Sequence, residues 1–102
     1  MIFSILVGAA IGWAIGTAIA EIFFTIYNKY YSAARACIKE KARQENSSIS
    51  KLLIVFVNEQ DTCADEEELV IRAYDSSNNH IANLNVTAPS GSGMRVGDTM
   101  YV

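Results

Sequence analysis

The sequence predicts an α+β protein, a long N-terminal transmembrane helix followed by a small antiparallel β-sheet domain, and three observations predict it. Residues 1–20 contain no ionisable side chain. Between residues 27 and 42, apolar or small side chains recur at spacings of three and four, the period of a helix face. From residue 52 onward, runs of β-branched and aromatic residues are separated by Asp, Asn, Ser and Gly, the punctuation of strands. A chain of 102 residues holds one small core, which excludes a large enzyme, and its 51% hydrophobic side chains stand against 19% charged ones. Charge is segregated along it: residues 1–28 carry only Glu21, residues 29–51 six Lys/Arg against two Glu, and residues 52–102 two Arg against eight Asp/Glu.

The apolar segment, residues 1–27, is expected to be the transmembrane helix, since about 20 helical residues rise about 30 Å, the thickness of a bilayer's hydrocarbon core. A buried helix of a globular protein is disfavoured because little chain remains to cover it on all sides. A cleaved signal peptide is the rival, for Thr17-Ala18-Ile19-Ala20 ahead of Glu21 has a small-x-small pattern. Against that rival, no Lys or Arg precedes the apolar run, and Ile22, Phe23, Phe24 and Ile26 continue it past the cut.

Within the span, Gly8, Gly12 and Gly16 recur every four residues and Ala20 extends the row, a glycine zipper that lets helix backbones approach closely. At 100° per residue, Ala10, Ala14, Thr17, Ala18 and Glu21 form a second small stripe roughly opposite the first, with a ridge of Ile11, Ile15, Ile19, Ile22 and Ile26 and another of Leu6, Trp13 and Phe24 between them. Two opposed small faces suit a contact that repeats from subunit to subunit, so the expected partner is the chain itself, in an assembly above a dimer. Glu21 either reaches the headgroup region or lies between subunits.

Residues 28–46 are expected to continue the helix as a basic amphipathic extension, because no Pro or Gly interrupts residues 17–46. Tyr27, Tyr30 and Tyr31 with Lys29, Arg35 and Lys39 would mark the inner membrane interface, which places the C-terminal domain in the cytoplasm beside anionic lipid. Nucleic acid is not an expected partner, since the basic run is short and an acidic domain follows. Residues 47–51 form a linker. Residues 52–102 form the β domain, with strands over 52–57, 69–74 and 80–87, a turn at Asp75-Ser76-Ser77-Asn78-Asn79, and a loop at Pro89-Ser90-Gly91-Ser92-Gly93. Residues 94–96 and 99–102 either pair around Gly97-Asp98 or form one bent strand. So few strands need a cover, which the helix extension or a neighbouring subunit can supply.

No catalytic residue, cofactor site or metal site is predicted. His80 stands alone and reads as a polar turn residue. Asp61, Asp65, Glu66, Glu67 and Glu68 read as a solvated acidic loop, lacking the Gly and alternating ligands of a calcium loop. Ser90-Gly91-Ser92-Gly93 has no Lys-Ser/Thr after it to make a phosphate cradle. Cys37 is expected to pack on the apolar side of the extension; with Cys63 it forms two thiols in the cytoplasm or one bridge in an oxidising compartment.

The layout of a half-apolar, half-amphipathic helix ahead of a small sheet resembles that of type IV pilin subunits. The stretch Tyr27-Asn28-Lys29-Tyr30-Tyr31-Ser32-Ala33-Ala34-Arg35 is similar to the Tyr-rich segment ending in Arg that closes the apolar half of many pilins. Ile5 stands where bacterial pilins carry a Glu. The resemblance implies an extracellular filament subunit with its sheet domain facing outward. Three functions are therefore carried forward: a non-enzymatic, membrane-anchored structural subunit assembling into a ring, pore or filament; a pilin-like filament subunit; and a membrane-tethered β module that senses a ligand or partner.

Overall fold

The computed structural model of the chain describes residues 19–59 and 65–102. In chain order these form β1 (Ala20–Thr25), α1 (Tyr31–Glu45), β2 (Lys51–Glu59), β3 (Glu66–Tyr74), β4 (His80–Pro89) and β5 (Thr99–Tyr101). The strands make one sheet in the order β1-β4-β3-β2-β5. Three pairings are antiparallel; β1 alone runs parallel to its neighbour, β4. The sheet is therefore mixed, and the second strand of its parallel pair is reached only after α1 has packed on one face.

This overturns the predicted fold class at its most definite point. One helix was expected to run from the apolar segment through residue 46, yet residues 20–25 are a strand, residues 26–30 are not helical, and α1 has 15 residues. No helix among the described residues is long and apolar enough to cross a membrane, so the single-pass placement, with a cytoplasmic or an extracellular C-terminal domain, loses its support. The physical reason lies in residues 21–26. Ile22, Phe24 and Ile26 alternate with Glu21, Phe23 and Thr25, a period of two in residue types that favour strands. Ile22 and Ile26 are buried while Glu21, Phe23 and Thr25 are exposed, so this alternation governs which face each side chain takes.

The core is a single layer between α1 and one face of the sheet. Registered rows cross the strands: Ile22, Leu84, Ile71 and Ile54 in one, and Ala82, Ala73, Leu52 and Met100 in the next. All eight are buried. Ala34, Ile38 and Ala42, spaced every four residues, are the buried stripe of α1. Two alanines flanking one isoleucine let the helix axis approach the sheet closely. Cys37, expected to pack on that side, is exposed, because the stripe is one residue further round the helix. The helix start is tied down by Tyr31, whose hydroxyl donates to the Asp98 carboxylate at 3.5 Å and whose ring lies 3.6 Å from where a Cβ on Gly93 would sit.

The strands expected over 52–57, 69–74 and 80–87 correspond to β2, β3 and β4, each extended by a few residues. Residues 94–96 are not a strand; only Thr99–Tyr101 pairs with β2. Glu67 is no member of a solvated acidic loop. It is 2% exposed, and the Ser92 hydroxyl donates to its carboxylate, tying the 90–93 loop to β3. The Asp75 carboxylate accepts from the backbone N–H groups of Ser77 and Asn79, each at 2.9 Å, and closes the expected turn with Asn78 at a φ of 65°.

Candidate functional site

The face of the sheet opposite α1 is built by the odd residues of β1 and β4 and the even residues of β3. One row across it reads Glu21, Asn83, Arg72, Leu53; the next reads Phe23, Asn85, Val70, Phe56; the third reads Thr25, Thr87, Glu68, Asn58. Strict alternation along β2 would put Phe56 under the helix with Leu52 and Ile54. A register shift between Ile54 and Phe56 adds one residue, Val55, and turns Phe56 to the open face and Val57 toward the core. Phe56 is 51% exposed and Phe23 65%, with Tyr101 of β5 at 70% beyond them. Between Phe23, Val70, Asn85 and Thr87 lies a shallow groove of about 440 Å³.

A hydrogen-bonded chain crosses this face. The Glu21 carboxylate accepts from Asn83 Nδ2 at 2.7 Å and from Asn85 Nδ2 at 2.9 Å. A carboxylate in this role only accepts, so both amides must present their NH₂ groups to it, and Asn83 Oδ1 is left facing His80. His80 Nε2 lies 2.7 Å from that oxygen and 3.1 Å from the Ala82 carbonyl. Both neighbours are acceptors, so Nε2 must carry the proton. The chain fixes β1 on β4 through side chains as well as backbone, and it holds the imidazole against Tyr74, whose ring centroid is 5.6 Å away. Lys51 completes this end of the face, with its ammonium 4.7 Å from the Tyr74 ring centroid and 2.7 Å from Asn78 Oδ1. These groups satisfy one another across the face.

The outer edge of β1 is the second part of the site. Ile26 N–H donates to the Thr87 carbonyl at 2.7 Å, so the even residues of β1 direct their backbone groups to β4. Backbone direction alternates along a strand, and Glu21, Phe23 and Thr25 therefore point theirs away from the sheet. Among the described residues no strand pairs with them. The ladder to β4 ends where Pro89 has no N–H to give.

Of the residues singled out from sequence for helix packing, Gly8, Ala10, Gly12, Ala14, Gly16, Thr17 and Ala18 lie outside the described residues. Ala20 is in β1, opposite Ala82. Tyr27, Lys29 and Tyr30, expected at a membrane interface, are exposed in the connection between β1 and α1, while Tyr31, Arg35 and Lys39 are on α1. The pilin-like stretch is thus divided between a connection and a helix start. Cys63 and Asp61 lie outside the described residues. Sequence reasoning missed Glu21, Asn83, Asn85, Phe23 and Phe56 as one surface; the alternation of residues 21–26 was the available signal, masked by the apolar run before it. Comparison with protein-family models, curated proteins and solved structures finds no match.

Proposed function

We propose that the chain is a non-enzymatic structural subunit that works by associating with further copies of itself through the sheet face that no element covers among the described residues. The observation that carries this reading is the second sheet face: α1 completes the core on one side, while the other exposes Phe23, Phe56 and Tyr101 across three strands. Exposed aromatic side chains set among polar ones are enriched at association surfaces. The mutually satisfied polar chain from His80 to Glu21 supports the non-enzymatic part, since its donors and acceptors are already committed to each other.

Light scattering of the full chain over a range of micromolar concentrations tests the reading. A mass of two or more subunits, each 11.2 kDa, is the expected result. The monomer mass at every concentration would contradict it, and would favour instead a β module that binds an apolar partner in the groove beside Phe23.

A further inference from the structure

We infer that the groove beside Phe23 binds the side chain of an arginine presented by a partner polypeptide. The inference goes beyond the self-association reading and does not rest on it. The groove follows β4 between β1 and β3. On the open face Asn85 and Thr87 form its floor, Phe23 and Thr25 one wall, and Val70 and Glu68 the other, around a volume of about 440 Å³. It is shallow, so a side chain can lie in it while the backbone that carries it stays outside.

The polar groups there call for a donor. Glu68 is exposed, and the ion pairs among the described residues, Lys41 with Glu45 and Arg43 with Glu40, both lie on α1, so its carboxylate keeps its capacity to accept. Asn85 gives Nδ2 to Glu21, which leaves its Oδ1 as an acceptor. The hydroxyls of Thr25 and Thr87 accept as well. Among the described residues no cationic side chain lines the groove. Charge along the open face is polarised in the same sense. Lys51 and Arg72 lie in the rows toward His80, Glu68 and Glu66 in those at the other end, where Glu66 stands opposite Pro89. An anion or a second acceptor would therefore meet no counterpart. A guanidinium meets all of these groups at once: its planar fork of donors matches the Glu68 carboxylate through parallel hydrogen bonds, and its face stacks on the Phe23 ring. Its apolar stem lies against Val70. An ammonium matches the charge alone.

NMR titration of the full chain tests this with N-acetyl-arginine amide and, separately, N-acetyl-citrulline amide, whose ureido group has nearly the same shape and no charge. The amide resonances of Thr25, Val70 and Thr87 should shift with the arginine probe, with a Kd about ten-fold below that of the citrulline probe, and the difference should shrink with added salt. Glu68→Gln should raise the arginine Kd to about the citrulline value and leave the citrulline value unchanged. Glu45→Gln removes the same charge from α1 and should leave both unchanged, and circular dichroism checks that each variant keeps the wild-type fold. Equal affinity for the two probes overturns the inference, as do shifts confined to residues away from the groove or the absence of shifts at millimolar probe. An arginine Kd that Glu68→Gln leaves at the wild-type value overturns it too, and N-acetyl-lysine amide binding as tightly as the arginine probe overturns the choice of guanidinium.

Discussion

Asp75 shows how a single side chain builds local structure here. Its carboxylate accepts the backbone N–H of Asn79, then the Asn79 side chain and the Ser77 N–H, and these bonds hold its pKa below the ordinary carboxylate value. A lowered folded-state pKa contributes stability that is present above the unfolded value and lost as pH falls through the folded one. The melting temperature of the wild type should therefore exceed that of Asp75→Asn near neutrality, and the gap should close below about pH 4. A gap that is constant from neutral to acid pH would show that the charge plays no part. The turn was legible from its Asp, Ser and Asn residues alone, because its bonds are local. Glu67 was not, because nothing within the acidic run of its neighbours indicates that Ser92, 25 positions away, would bury it.

At the scale of elements, the strands β2, β3 and β4 were legible because runs of strand-favouring residues are bounded by turn residues, and β4 also alternates. β1 was not. An unbroken apolar stretch from residue 1 outweighs the two-residue period that begins at Glu21, and periodicity cannot separate a membrane helix from a buried strand when one face is apolar and the other carries Phe23. What decides is tertiary: β4 leaves an edge, and Ile22 and Phe24 register with Leu84 and Val86 on it. The Val55 bulge was equally hidden, since LLIVFV reads the same in either register. Deleting Val55 removes the extra residue and sets Phe56 directly after Ile54, so Phe56 should stay opposite Val70 on the open face and Val57 toward the core. The expected outcome is an unchanged circular dichroism spectrum with Phe56 still accessible to solvent; a deletion variant that buries Phe56 would contradict this register.

For the whole molecule, the division of labour is by sheet face and sheet edge. One face and α1 make the core; among the described residues no element packs on the other face, and the polar chain from His80 through Asn83 to Glu21 ties β1 to β4. The most direct measurement of this account is residue-resolved amide hydrogen exchange on the full chain. The expected result is slower exchange at Ile22, Phe24 and Ile26, whose backbone groups face β4, than at Glu21, Phe23 and Thr25. Uniform protection along residues 20–26, the signature of a helix, would contradict it.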